Sequence, residues 1–299
     1  MADIKLFNIN GKVTEYQSGT VTLEKELQTI IENNMETFFG VTFLAAEYRT
    51  TDGGRMDSVG IDENHCPVIF EYKRSMKDNV INQGLFYLNW LLDHKDSFKV
   101  LVIEKLGMKA AEAIDWSMPR LVCVAGDFTK YDESAIKQMN RNISLIRYKK
   151  FGKDLLMFEQ INENIVLTAE DIVSVNTSKT KTSTKSFAEQ KRDADKNILG
   201  IYEDLRNYVL SLGDDITENH LKFYTAFKKI KNILCVEIFS NRLILHLKLD
   251  VTTVNYEKGF SRDMSNLGHY GTGDVEILIK NRTDYEKSKP FIERAYNEN

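Results

Sequence analysis

The sequence predicts two domains: an α/β domain with helices on the faces of a mixed sheet over residues 1–173, and a separate α+β domain over 193–299. Three observations predict this. Strand-length apolar runs alternate with helix-spaced apolar patterns through the first half. Large apolar residues nearly vanish between 174 and 192, a stretch too polar to bury a core. Past it, one long amphipathic pattern leads into several β-rich runs.

In chain order, Leu23, Leu27, Ile30, Ile31, Met35 and Phe38 recur at helical spacing, predicting an amphipathic helix of about 17 residues that ends at Gly40. Val41 to Leu44 reads as a short strand. The turn pair Gly53-Gly54 introduces another from Arg55 to Ile61. A polar loop, Asp62 to His65, leads through Pro67 into Val68-Ile69-Phe70-Glu71-Tyr72-Lys73. That strand is apolar on both faces at its start, which places it centrally in the sheet. Asp78 or Asn79 can cap a helix running to about His94. Val100 to Ile103 reads as a buried strand, Lys109 to Trp116 as a helix and Arg120 to Ala125 as a further strand. Ser134 to Arg141 reads as a short helix, and Ile143 to Tyr148 and Leu155 to Phe158 as strands.

The polar stretch from 174 to 192 sets Lys179, Lys181, Lys185, Lys191 and Arg192 against Glu189 alone. It reads as a basic flexible linker, either a solvated tether or a strap that touches phosphates. Beyond it, Asp195 to Leu212 predicts a long amphipathic helix. Phe223 to Lys228, Ile233 to Phe239 and Arg242 to Leu249 predict strands, with a hairpin at Ser240-Asn241. Asp274 to Ile279 reads as a fourth strand and Asp284 to Tyr296 as a closing helix. The glycine-rich segments 259–263 and 268–274 read as turns between strands, since no Gly-Lys-Ser/Thr follows them. Lys222, Lys228, Lys229, Lys231 and Lys248, interleaved with Phe223, Tyr224 and Phe227, fit either a basic-aromatic face for nucleic acid or a solvated sheet face.

Composition narrows the function classes. Apolar residues at 42% and charged residues at 28% describe a globular chain with real cores. No apolar run reaches membrane-spanning length. The N-terminus lacks the basic-then-apolar layout of a secretory signal, so the cytoplasm is the expected location. Cys66, Cys123 and Cys235 stand singly, which excludes a disulfide framework or zinc ribbon. A net charge of −4 announces no polyanion partner, although whole-chain charge cannot see a basic face.

The chemistry gathers at Asp57, Glu71 and Lys73. Glu71 and Lys73 stand two apart on a strand and so share one face. Asp57 lies fourteen residues earlier, on a strand that reaches Glu71 through one loop. Two carboxylates about 4 Å apart repel by roughly 4 kcal/mol at an effective dielectric near 20. Lys73 offsets part of that repulsion; a hard divalent cation, Mg²⁺ or Mn²⁺, offsets it far better. Asp57 and Glu71 are the expected metal ligands. Such a site activates a water and stabilises charge on a phosphoryl oxygen, with Lys73 beside the water. Gln83 and Tyr87 stand four apart on one face of the following helix, and Glu24 lies in the first turn of the early helix.

The runs Gly53 to Asp62 and Pro67 to Arg74 closely resemble the catalytic core of the NucS (EndoMS) mismatch endonucleases, of the PD-(D/E)XK type. The helix Val80 to Leu88 and the upstream Leu23 to Leu27 continue the match, which covers roughly Val21 to Ile103. The resemblance implies a restriction-endonuclease-like fold and a catalytic set of Glu24, Asp57, Glu71, Lys73, Gln83 and Tyr87. It further implies a metal-dependent endonuclease that hydrolyses DNA phosphodiester bonds, with DNA repair, defence and mobile-element biology all open as its setting. The alternative is a catalytically silent nuclease-fold scaffold that binds nucleic acid or protein. The C-terminal domain resembles an uncharacterised family labelled a predicted transport protein and is the candidate for substrate or protein-partner binding. A homodimer is compatible with cutting both strands.

Overall fold

The computed structural model describes residues 4–20, 24–73, 80–164 and 185–299, in two units spanning Met1–Val166 and Leu167–Asn299. In the first unit, the apolar stripe that predicts one long helix is divided at Asn34 into α1 (Glu24–Asn33) and α2 (Met35–Phe39). Gly40 closes α2 at φ 62°, a left-handed conformation that a residue without Cβ adopts readily. Leu27, Ile31, Met35 and Phe39 are all buried, so the two helices still share one apolar stripe.

β4 (Val41–Arg49), β5 (Arg55–Asp62) and β6 (Pro67–Lys73) form an antiparallel meander. β6 then pairs in parallel with β7 (Arg120–Ala125), and β7 in parallel with β8 (Asn142–Phe151). β9 (Leu155–Asn164) and the short β3 (Ser18–Gly19) both run antiparallel to β8, completing a seven-stranded mixed sheet. β1 (Leu6–Asn8) and β2 (Thr14–Tyr16) make a separate hairpin. The apolar run at the start of β6 does place it inside the sheet, between β5 and β7.

Parallel neighbours need a crossover. Between β6 and β7 it contains α3 (Val80–Asp93), α4 (Lys95–Leu106) and α5 (Met108–Glu112). α3 lies on β6 and β7, and Gly84 permits the approach: a Cβ there would stand 2.4 Å from Leu121 Cδ1. The buried strand expected at Val100–Ile103 is instead part of α4. Phe98, Leu101 and Val102 are buried at helical spacing while Val100 is 53% exposed, and a four-residue apolar run fits either structure. The helix expected at Ser134–Arg141 begins earlier, as α6 (Lys130–Ile136), because Thr129 and Asp132 close a capping box around its first turn. The helix predicted from Lys109 to Trp116 is the shorter α5.

In the second unit, α7 (Phe187–Asp193) and α8 (Lys196–Ser211) precede the sheet. Its strands are β10 (Thr217–His220), β11 (Thr225–Lys228), β12 (Asn232–Phe239), β13 (Arg242–Leu247), β14 (Ser261–Asp263) and β15 (Val275–Ile279). They pair antiparallel in the order β10-β11-β12-β13-β15-β14, and α9 (Arg282–Glu298) closes the chain. Alternation sends Val236, Leu245 and Ile277 into one apolar core with Ile201 and Leu205 of α8 and Ile292 of α9.

The basic linker expected at 174–192 lies, from 174 to 184, outside the described residues. Its last part departs from expectation. Ser186 and Glu189 form a capping box, and Phe187 packs 5.9 Å from the ring of Tyr202, so an amphipathic turn exists where composition suggested none. Two further expectations change. Ser261–Asp263 is a strand rather than part of a turn. Tyr224, Phe227 and Lys228 are buried, so they do not contribute to an exposed basic-aromatic face.

Candidate functional site

Glu71 follows Val68, Ile69 and Phe70, all 0% exposed, and is itself 0% exposed. The register that pairs Ser58 with Phe70 sets Asp57 opposite Glu71 on the neighbouring strand. Because successive side chains alternate, Asp57, Glu71 and Lys73 stand on the face where Val59 and Ile69 pack with α3. The Asp57 backbone N–H donates to Glu71 Oε1 at 3.2 Å, and the Tyr72 N–H donates to Asp57 Oδ2 at 3.0 Å. Main chain therefore holds each carboxylate toward the other strand. Glu71 Oε2 is buried without a hydrogen-bond partner.

The electrostatics follow from that placement. Burial raises the Glu71 carboxyl to about 9, and the neighbouring Asp57 carboxylate adds to the rise. The Asp57 N–H and the Lys73 charge act in the opposite direction. Burial also raises Asp57, against the Tyr72 N–H and Lys73, with Glu24 and Glu47 adding to the rise.

Lys73 Nζ lies 3.6 Å from Glu24 Oε1, which links the end of β6 to the start of α1. Gln83 Nε2 donates to Tyr87 Oη at 3.4 Å, and the Arg55 backbone N–H donates to the same oxygen at 3.2 Å. The described contacts of Gln83 and Tyr87 thus brace the first residue of β5, two before Asp57, and do not run to the carboxylates themselves. The structure groups Asp57, Glu71, Lys73 and Glu24 and sets Gln83 and Tyr87 beside that group.

Sequence reasoning missed a polar relay beneath the acid pair. Buried Gln28 donates through Nε2 to the Asp57 carbonyl at 2.9 Å and to Glu32 Oε1 at 2.8 Å. Ser58 Oγ donates to the same Glu32 oxygen at 2.7 Å, and Tyr72 Oη donates to Ser58 Oγ at 3.1 Å. The signal was present: Glu24, Gln28 and Glu32 recur every four residues on α1, one polar stripe beside the apolar one.

Among the described residues no group of three or more His, Cys, Asp or Glu side chains is arranged to hold a metal ion. Magnesium, however, is commonly held by only one or two carboxylates and keeps water or phosphate in its other positions. The Asp57–Glu71 pair, with one buried oxygen unsatisfied, is a donor set of that kind.

Fold and site together define a two-unit protein with a buried glutamate, a half-buried aspartate facing it and an adjacent lysine on neighbouring strands of a mixed sheet. An uncharacterized protein of Haemophilus influenzae is 30% identical over 295 residues, spanning 95% of this chain and 96% of that one. The chain belongs to the family of that protein. Residues 187–299 match a family described as a domain of unknown function, DUF5655. Two solved structures show a likeness over 43% of the chain. One is a repair endonuclease from Pyrococcus abyssi, at 18% identity, a TM-score of 0.30 and 49% coverage of that chain. The other is an EndoMS complex with double-stranded DNA, at 20% identity, a TM-score of 0.26 and 47% coverage. The match spans about half the length of these two chains, and TM-scores this low do not establish a common fold.

Proposed function

We propose that the first unit is a divalent-metal-dependent endonuclease with a restriction-endonuclease-like fold, acting on DNA phosphodiester bonds. The observation that carries this reading is Glu71: a fully buried carboxylate with one oxygen unpartnered, facing Asp57 and two residues from Lys73. Burying two acids together without a compensating charge is destabilising. Without metal, a proton retained on Glu71 relieves that repulsion; a cation held by Asp57 and Glu71 would take its place. When bound, Mg²⁺ or Mn²⁺ supplies an activated water and a positive centre for phosphoryl oxygens.

The chain's own residues do the rest. Lys73 orients the attacking water or adds positive charge beside the scissile phosphate, and Glu24 holds the Lys73 amine at 3.6 Å until substrate enters. Tyr87 and Gln83 fix the start of β5 and through it the Asp57 carboxylate. Substrate or partner selection falls to the second unit.

The test is cleavage of a panel of mismatched, flapped and single-stranded DNAs, with RNA counterparts, in Mg²⁺ and in Mn²⁺. Binding of Mn²⁺ is followed in parallel by electron paramagnetic resonance. Activity lost in both Asp57→Ala and Lys73→Ala, with Mn²⁺ binding lost only in the first, supports the assignment. Equal cleavage by wild type and Lys73→Ala on every substrate overturns it. Mn²⁺ binding that depends on Asp57, without cleavage of any nucleic acid, selects the silent scaffold instead.

A further inference from the structure

A cleft of about 500 Å³ opens on the second unit's sheet and is lined by Glu237, His246, Arg262, His269, Tyr270 and Glu276, among others. Alternation along the strands explains its polarity. Leu243, Leu245 and Leu247 of β13 enter the apolar core, so His246 emerges on the opposite face. Glu237 of β12 and Glu276 of β15 alternate in the same way, and the β13–β15 register sets Glu276 directly across from His246.

His246 is 1% exposed, its Nε2 stands 3.3 Å from Glu237 Oε1, and its Nδ1 is buried without a hydrogen-bond partner. The Glu237 carboxylate accepts, so Nε2 carries a hydrogen directed at it, and Nδ1 is left as the unpaired ring nitrogen. A buried polar atom left unpaired is destabilising, and nothing in the core on the other face of the sheet accounts for it. Arg262 clamps Glu276 through Nε at 2.6 Å and Nη2 at 2.8 Å while its own side chain stays 58% exposed. The ring of His269 stacks on His246 at 4.2 Å and 7°, and Tyr270 packs against Phe223 at 4.7 Å. His269 Nδ1 lies 3.2 Å from the Tyr270 carbonyl oxygen, and its Nε2 lies 3.8 Å from Asp274.

The cleft therefore combines two acceptor carboxylates and one unpaired imidazole nitrogen with flat ring walls. Acceptors select a ligand rich in N–H donors, and ring walls select a planar one. The volume lies in the range of small-molecule sites. We propose that this cleft binds a nucleobase or nucleoside carrying an exocyclic amino group, with that amino group donating to the Glu237 and Glu276 carboxylates beside His246 Nδ1. The cleft's lining residues all belong to the second unit, and the proposal does not require the first unit to be catalytic.

The test uses the full chain with adenosine, cytidine and guanosine as probes, and inosine and uridine as counterparts of the first two without the amino group. Binding is read by calorimetry and by the side-chain nitrogen resonances of His246. The expected result is that an amino nucleoside shifts the Nδ1 resonance and that its amine-free counterpart binds at least about tenfold more weakly, since a site built for a donor rejects the analogue lacking it. Glu237→Gln weakens binding similarly. Tyr270→Ala, at the 40%-exposed rim, is expected to weaken it as well, with thermal melting read alongside to confirm the fold. The proposal is overturned if none of the three amino nucleosides at ~10 mM, a concentration that reveals even millimolar affinity, moves the His246 resonances. Equal binding of inosine and adenosine, or unchanged binding in Tyr270→Ala, overturns it as well.

Discussion

At the scale of single residues, Glu71 controls how the protein responds to pH. Its folded-state carboxyl titrates at about 9, against an ordinary value of 4.5. Between those values the folded chain holds a proton that the unfolded chain has released, so stability falls as pH rises through the interval. In a metal chelator, the wild-type melting temperature is therefore expected to drop from about pH 5 to about pH 9. Glu71→Gln, which mimics the protonated acid, flattens that slope and is the more stable form at the alkaline end. Added Mg²⁺ or Mn²⁺ is expected to restore the wild type at alkaline pH, because cation binding displaces the proton, and not to restore the variant. Identical slopes for the two proteins in chelator would mean that Glu71 is not the group responsible. Gln28 acts one layer below. Its amide serves both the Asp57 carbonyl and Glu32, and Gln28→Ala leaves those groups short of a donor at about 1–3 kcal/mol. Urea unfolding reads the stability loss. A matching loss of Mn²⁺ affinity would show that the relay positions Asp57 rather than merely filling space.

At the scale of elements, the grouping of Asp57, Glu71 and Lys73 was legible because it depends on two short-range rules. Strand alternation puts Glu71 and Lys73 on one face, and a single tight loop returns Asp57 beside them. The sheet's middle was legible from the apolar start of β6. Elsewhere local pattern was insufficient. Val100–Ile103 carries strand-like residues, yet the burial of Phe98, Leu101 and Val102 is helical and is set by what α4 packs against. The break at Asn34 is invisible in spacing, since Leu27, Ile31 and Met35 keep their period across it. The relay through Gln28 and Glu32 was missed because a polar helix stripe looks the same whether it meets water or a neighbouring strand. The cleft of the second unit was not legible: its acids and imidazoles come from positions 237, 246, 269 and 276, joined by strand pairing and, for His269, by ring stacking. α3 offers a direct test of element packing. Gly84→Ala places a methyl group 2.4 Å from Leu121 Cδ1, and with Leu121 fully buried the helix must shift. The expected destabilisation is about 1–3 kcal/mol, the usual range for overpacking. Cleavage activity is expected to fall with it, because α3 also carries Tyr87, which holds the start of β5. A Gly84→Ala protein of unchanged stability would show that α3 and β7 are not in close contact.

At the scale of the whole molecule, the two units hold separate cores. The larger core of the first unit draws on residues from Leu44 to Ile161, and that of the second on residues from Phe187 to Tyr296. The family match to residues 187–299 begins at the first residue of α7, and the Haemophilus influenzae relative spans both units. A unit with its own buried core, one continuous six-stranded sheet and a capped first helix has what independent folding requires. A fragment of residues 185–299 is therefore expected to unfold in one cooperative urea transition, with the far-ultraviolet dichroism of a mixed helix and sheet protein. If Asp57 and Glu71 are the cation site, Mg²⁺ raises the midpoint of only one of the full chain's transitions and leaves the isolated fragment unchanged, because a ligand stabilises the state that binds it. Retained His246 stacking in the fragment, read from its ring resonances, would place the cleft wholly within this unit. A fragment without a cooperative transition would mean that its core, though contiguous, depends on the rest of the chain, and the division of labour between an acid-pair unit and a ligand-binding unit would fail with it.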